Sequence, residues 1–258
     1  MSPPRPPLLS VQNLAVEFLL PDRSRRRAVD GVSLQIDSGT TLGLLGESGS
    51  GKTTLARAIV RLIHPASGSI TFGGREITHL SQRKLRPIRK MMQIVFQDSA
   101  GSLNPRMTVG DIVAEPLIVH RVDVRLSRRT AVLDLLDRVG LPKTAIDRYP
   151  HEFSGGQRQR INIARAVALH PRLLVCDEPV SALDVSVRAQ ILNLFRDLQR
   201  ELGLTYLFVS HDLAVVRYMS DQVAVMHAGR IVESGEAEKI YARPRHPYTA
   251  ELLAASTH

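Results

Sequence analysis

Four short stretches of this 258-residue chain carry residue types at spacings that do chemistry. The first is Gly46-Glu47-Ser48-Gly49-Ser50-Gly51-Lys52-Thr53, which reads G-x-x-x-x-G-K-T, a phosphate-binding loop. Glycines at 46, 49 and 51 let backbone N–H groups turn inward and close on phosphate oxygens without a Cβ in the way. Lys52 is placed to reach the β- and γ-phosphates of a nucleotide, and the Thr53 hydroxyl to hold Mg²⁺. The second stretch, Leu173-Leu174-Val175-Cys176-Asp177-Glu178, is four apolar residues ending in two carboxylates. Beside a phosphate loop such a strand end supplies Asp177 as the Mg²⁺ partner and Glu178 as the base that polarises an attacking water. The third, Ser154-Gly155-Gly156-Gln157, is a helix start of capping-box type, with two glycines leaving the first-turn amides open to an anion. The fourth is Ser210-His211-Asp212, where His211 is on its own residues only a polar strand end.

These groups need elements to position them. Thr40-Thr41-Leu42-Gly43-Leu44-Leu45 is an apolar run of strand length, and after the loop Leu55, Ala58, Ile59 and Leu62 recur at helical spacing. The loop therefore lies between a strand and a helix N-terminus, where the helix dipole favours an anion. Residues 1–7 form a proline-rich tail expected to be disordered, and residues 8–18 and 29–36 read as strands. Residues 21–27 read as a basic loop with Arg23, Arg25, Arg26 and Arg27. A short strand is expected over 66–74, and Arg83, Lys84, Arg86, Arg89 and Lys90 as a solvated basic face. Gln93-Ile94-Val95-Phe96-Gln97 reads as a strand whose end delivers Gln97. Helical patterns follow at about 109–119, 128–139 and 155–169, so that about 98–165 reads as an inserted α-helical subdomain. Then alternation resumes, with strand 172–176, helix 184–201, strand 204–209, helix 212–218 and strands near 222–226 and 230–233. Alternating units of this kind predict an α/β fold with a mostly parallel sheet.

Composition bounds the classes. Hydrophobic residues at 43% and charged ones at 23% describe a globular chain. No apolar run approaches the roughly 20 residues of a membrane helix, and the N-terminus lacks the apolar core of a signal peptide. The single cysteine, Cys176, excludes an internal disulfide and fits a reducing compartment. Lys and Arg number 34 against 25 Asp and Glu, a net charge of +9. That excess fits nucleic acid, the inner face of a membrane or nucleotide, and equally a solvated basic surface.

Taken in order, six motifs make the chain resemble the ATPase subunit of an ABC transporter. Residues 46–53 are similar to the family's Walker A, 173–177 to Walker B, and 154–157 to its signature. Gln97 resembles the Q-loop, Ser181-Ala182-Leu183-Asp184 the D-loop, and His211 the switch histidine. The resemblance implies one nucleotide-binding domain over 1–258, with a P-loop core, an N-terminal antiparallel β subdomain, the inserted helices, and a short helical extension at about 235–258. It implies ATP held by Gly46, Glu47, Ser48, Gly49, Ser50, Gly51, Lys52, Thr53 and Thr54 with Gln97, and Mg²⁺ at Thr53, Gln97 and Asp177. Phe18 stands where an aromatic, more often Tyr, stacks on adenine, although a core position in the first strand would explain it too. Hydrolysis would rest on Glu178, His211, Gln97 and Lys52. Ser154, Gly155, Gly156, Gln157 and Asp184 would face the ATP of a second ATPase subunit, a copy or a paralogue, in a head-to-tail dimer.

The finer resemblance is to the subgroup serving dipeptide, oligopeptide and nickel importers. It rests on Phe96-Gln97-Asp98-Ser99 with Ser102-Leu103-Asn104-Pro105-Arg106, on the stretch from His151 to Arg160, on Ala182-Leu183-Asp184-Val185-Ser186-Val187, and on Arg245-His246-Pro247-Tyr248-Thr249-Ala250-Glu251-Leu252-Leu253. It implies two transmembrane permease subunits, indirectly a substrate-binding protein, and a place on the cytoplasmic face of the inner membrane. Many members carry a cysteine-containing C-terminal extension; with one cysteine here, no iron–sulfur cluster is expected. Peptide is the expected cargo, with nickel or a metal chelate the alternative. A soluble ABC ATPase acting on nucleic acid or ribosomes is the more remote alternative, and no nucleic acid is expected as partner. A GTPase or small-molecule kinase lacks support, since no N-K-x-D motif is present and neither class explains residues 154–157.

Overall fold

The computed structural model describes residues 6–19, 23–98, 101–122 and 127–255. Most of the expected N-terminal tail, the first two residues of the basic loop and the last three residues of the C-terminal extension lie outside them. The chain divides into two compact units, residues 1–85 with 205–258, and residues 86–204.

The first unit holds two sheets. In one, strand β1 (Leu9–Leu19) runs antiparallel to β2 (Arg25–Ile36) and to β4 (Ser67–Phe72), and β4 continues into the short β5 (Arg75–Glu76). Alternation drives β1, which buries Leu9, Val11, Leu14 and Val16. β2 starts earlier than expected, because Arg25 and Arg27 pair with Glu17 across the ladder, at 3.4 and 2.8 Å. An opposite-charge cross-strand pair turns what reads as a basic loop into strand. In the other sheet, β3 (Thr41–Leu45) is central and fully buried, parallel to β8 (Thr205–Ser210) on one side and to β9 (Gln222–His227) on the other. β10 (Arg230–Glu236) returns antiparallel along β9. Near-continuous apolar runs such as Leu207, Phe208 and Val209, all fully buried, are what a strand covered on both faces requires. Helix α1 (Lys52–Ile59) follows β3, α7 (Leu213–Met219) follows β8, and α8 (Ala237–Ala242) and α9 (Pro247–Ala255) close the chain. α1 ends at Ile59, short of Leu62, which is half exposed rather than part of its apolar face.

The second unit is built on two parallel strands, β6 (Met92–Val95) and β7 (Leu173–Asp177). Around them lie α3 (Val109–Val119), α4 (Arg128–Arg138), α5 (Gly155–Val167) and α6 (Val185–Leu202). Thr108, Ser127, Ser154 and Asp184 cap the N-termini of these four helices, and Gly203 ends α6 in the left-handed region at φ 64°. The basic cluster at 83–90 lies on a further helix, α2 (Gln82–Met91), within which the boundary between the units falls. Arg83, Lys84 and Arg86 face solvent while Leu85 and Ile88 are buried, so the exposed basic face exists but rides on an amphipathic helix. Among the described residues no helix is long and apolar enough to cross a membrane.

Candidate functional site

In the first unit the register of the ladders sets the chemistry. Leu45 pairs with Ser210, so the chain leaves β3 at Gly46 and β8 at His211 side by side, at the carboxyl edge of parallel strands. That edge is where open α/β sheets bind ligands. The loop after β3 is braced from behind. Gly229 N–H donates to Ser50 O at 2.9 Å, and Asp30 N–H donates to Gly229 O at 2.8 Å. The bracing leaves no room for side chains. A Cβ on Gly46 would come within 2.2 Å of Met226 O, and one on Gly51 within 2.3 Å of Ala28 O. Gly51 also has φ 107°, a conformation that L side chains rarely adopt.

Glu47, Ser48 and Gly49 are exposed, whereas Ser50 and Lys52 are buried. The Lys52 ammonium sits inside the curl of the loop, donating to Gly46 O at 2.8 Å, Glu47 O at 2.7 Å and Ser50 Oγ at 3.5 Å. No side chain caps the start of α1, and a helix N-terminus favours an anion through its dipole. A buried cation, an uncapped helix start and a cradle that a Cβ would fill are the surroundings a triphosphate fits. Thr53 and Thr54 occupy the first turn of α1 and are half-buried.

His211 is exposed in the turn between β8 and α7. The residues on either side of it are fixed: Asp212 N–H donates to Ser210 Oγ at 3.0 Å, and Asp212 Oδ1 accepts from Ala214 and Val215 N–H at 2.9 and 3.2 Å. Phe18 pairs with Arg26 across the first sheet and is 41% exposed, so its ring is not a core residue of β1.

The second unit repeats the arrangement with different groups. Val95 pairs with Cys176, so Gln97 and the carboxylates at 177 and 178 leave adjacent parallel strands at the same edge. Strand β6 stops at Val95, two residues short of the expected delivery of Gln97. Asp177 is fully buried at the end of β7. Glu178 follows in the left-handed region, at φ 48°. A non-glycine residue held there costs about 1–3 kcal/mol, strain that collects at functional sites. Its Oε2 accepts from Gln97 Nε2 at 3.1 Å, and Gln97 Nε2 also lies 3.5 Å from Ser181 Oγ. Burial, and then the adjacent charge of Asp177, push the Cys176 thiol well above its ordinary range.

Residues 154–157 form the predicted capping box. Gln157 N–H donates to Ser154 Oγ at 3.3 Å, and Ser154 N–H donates to Gln157 Oε1 at 3.0 Å. Ser154, Gly155 and Gln157 are exposed, but Gly156 is buried, and a Cβ there would lie 2.4 Å from Val187 Cγ1. Gly156 thus has a packing reason that its sequence context does not announce. Asp184 is the N-cap of α6, its Oδ1 accepting from Val187 N–H at 3.0 Å. Among the described residues, no group of three or more His, Cys, Asp or Glu gathers as a metal site. Mg²⁺ bound with a nucleotide takes hard oxygen donors besides phosphate and water, and the Thr53 hydroxyl in the first unit and the Asp177 carboxylate in the second are each of that chemical type. Sequence reasoning missed Tyr248, whose hydroxyl reaches the phosphate loop; the only signal was its place in the Arg245–Leu253 stretch.

Fold and site define a P-loop nucleoside triphosphatase, and comparison with known proteins narrows this. Residues 29–181 match the family model described as ABC transporter. Over 249 residues the chain is 52% identical to a putative peptide import ATP-binding protein of Brucella ovis, covering 96% of this chain and 78% of that one. It is 50% identical over 250 residues to the oligopeptide transport ATP-binding protein OppF of Bacillus subtilis, covering 96% and 82%. Among solved structures, the ATP-binding cassette MJ0796, dimeric in a post-hydrolysis state bound to ADP and Pi, superposes with a TM-score of 0.81 at 28% identity, covering 89% of this chain and 98% of that one. CbiO1 of Clostridium perfringens, part of the transporter complex cbiONQ, gives a TM-score of 0.78 at 29% identity over 93% and 92%. The chain belongs to the ABC transporter family, as one of its ATP-binding ATPases.

Proposed function

We propose that this chain is the ATP-hydrolysing subunit of an importer that moves peptides across the cytoplasmic membrane. The observation that carries the proposal is the phosphate loop with Lys52 docked inside it, joined to relatives whose names specify peptide or oligopeptide import. Residues 1–258 act as a single nucleotide-binding domain, with about 98–165 as its helical subdomain and about 235–258 as a C-terminal extension.

ATP is held by residues 46–54, with Lys52 leaving the loop carbonyls for the β- and γ-phosphates and Phe18 stacking on adenine. Thr53, Asp177 and Gln97 would hold Mg²⁺ with the nucleotide, and the ion would supply neutralisation of the charge that develops as the γ-phosphoryl group transfers. Glu178 Oε2 accepts the proton of the attacking water, Gln97 Nε2 holds that carboxylate in place, and His211 donates to the γ-phosphate. Ser154, Gly155, Gly156, Gln157 and Asp184 face the ATP of a second ATPase subunit, a copy or a paralogue, in a head-to-tail dimer. That proposal draws on the dimeric form in which MJ0796 was solved. Two permease subunits carry the peptide, a binding protein delivers it, and this chain attaches to their cytoplasmic side. A γ-phosphate that closes the dimer, and its hydrolysis that reopens it, bias a two-state element. No observation favours a nickel or metal-chelate cargo, or nucleic acid as partner.

Uptake of a labelled peptide into cells whose only copy is wild type or Lys52→Ala tests the reading. Wild type restores uptake and Lys52→Ala abolishes it. Equal uptake in both overturns the proposal.

A further inference from the structure

The phosphate loop is held at its entrance by a residue far away in the chain. Tyr248 Oη accepts the backbone N–H of Glu47 at 3.3 Å, across 201 positions. Tyr248 lies in the first turn of α9, which is anchored independently of that bond. The Glu233 carboxylate, on β10, accepts from Arg245 and His246 N–H at 2.8 and 3.1 Å. His246 Nδ1 in turn accepts from Tyr248 N–H at 3.2 Å. The Tyr248 ring lies against His227, with centroids 4.0 Å apart and planes at 38°. Tyr248 and Leu252 also pack on the buried cluster of Leu45, Val216, Val223, Val225, Ala237 and Ile240. Leu45 is the residue from which the loop departs. Burial pushes the Tyr248 hydroxyl up, so it is neutral when it meets the loop.

One peptide unit is therefore gripped at both ends. Its carbonyl, Gly46 O, accepts from Lys52 Nζ at 2.8 Å, and its N–H, on Glu47, donates to Tyr248. When Lys52 turns to phosphate the carbonyl end is released, while Tyr248 still fixes the N–H end. Glycine at 46 tolerates rotation of that peptide, which would swing a carbonyl oxygen toward the anion. We infer that Tyr248 is a positioning residue for ATP binding, using the C-terminal helix as a strut that keeps the Gly46–Glu47 peptide in the orientation a triphosphate needs. The inference rests on the reading of this loop as the ATP site.

A contact that selects one loop arrangement raises apparent affinity by the fraction it makes competent. A single neutral hydrogen bond supports a change of about two- to tenfold. The test uses the full chain and compares wild type with Tyr248→Phe, which keeps the ring on His227 and removes the oxygen. Kd for MgATP is read by titration, folding by thermal melting, and the Glu47 amide by its proton chemical shift. The expected result is Kd raised about two- to tenfold, an upfield Glu47 amide and a melting temperature close to wild type. Wild type that binds ATP beside a Tyr248→Phe variant with the same Kd and the same Glu47 shift overturns this inference alone. Wild type that binds no ATP overturns the nucleotide reading and this inference with it. Should Tyr248→Phe fail to fold, amide exchange in wild type decides, because a Glu47 amide that exchanges freely with MgATP bound overturns the strut.

Discussion

Gly51→Ala should be among the most damaging single-methyl changes in the phosphate loop, and two separable costs make it so. The first is backbone strain, because at φ 107° an L side chain is in a sparsely allowed region, costing about 1–3 kcal/mol. The second is steric. The new Cβ would start 2.3 Å from Ala28 O and 2.8 Å from Met226 Cε, and real Cβ contacts stay beyond 3.0 Å. Met226 can swing its terminal methyl aside, but Ala28 O belongs to a β2 backbone braced by the Asp30–Gly229–Ser50 hydrogen bonds. Displacing that strand or the loop costs about 1–3 kcal/mol more. Together these give about 2–6 kcal/mol, or a fall in Tm of roughly 4–24 °C for a chain of this size. Gly49→Ala is the control, since Gly49 has φ 80° but nothing within 4 Å of a new Cβ. It should lose only the strain, about 1–2 kcal/mol. Thermal melting of the nucleotide-free variants reads the difference. If Gly51→Ala melts with Gly49→Ala, the loop is not wedged against β2 and the reasoning is refuted.

Gly156→Ala should lower Tm by roughly 2–8 °C, because its Cβ would lie 2.4 Å from Val187 Cγ1, and Val187→Ala in the same chain should restore most of the loss. Additive melting shifts in the double variant would contradict that contact. Cys176, fully buried and with its thiol pushed well up by burial, should ignore an exposed-thiol reagent at about pH 8 and react once the chain is unfolded. Reaction in the native protein would mean that β7 is open to solvent.

Much of the site is legible in sequence because its determinants are local. The phosphate loop needs glycines and a lysine within eight consecutive residues, and the capping box needs Ser154 and Gln157 three apart. Helix α3 runs over the residues its pattern predicts, since Val109, Ile112, Val113 and Leu117 repeat at helical spacing and all are buried. What sequence hides is set by partners distant in the chain. Arg25 and Arg27 extend a strand only because Glu17 lies opposite. Helix α2 is masked by Pro87 and by five basic residues, although Leu85 and Ile88 bury its narrow apolar face. Gly156 reads as anion access and turns out also to be a contact with Val187. Tyr248 reaches Glu47 across 201 positions, and no periodicity encodes that.

ATP-driven dimerisation of Glu178→Gln, followed by light scattering, tests the central claim most directly. If Glu178 is the base proposed above, the amide cannot take the proton of the attacking water, bound ATP persists, and a chain of 28.5 kDa should double in mass with Mg²⁺ and ATP, alone or with a paralogous ATPase subunit. Adding Ser154→Arg, which replaces the exposed N-cap hydroxyl of α5 with a bulky cation, should abolish that association while leaving ATP binding intact. If Glu178→Gln stays monomeric with ATP in both settings, or if Ser154→Arg dimerises as well, the head-to-tail account of this ATPase is contradicted.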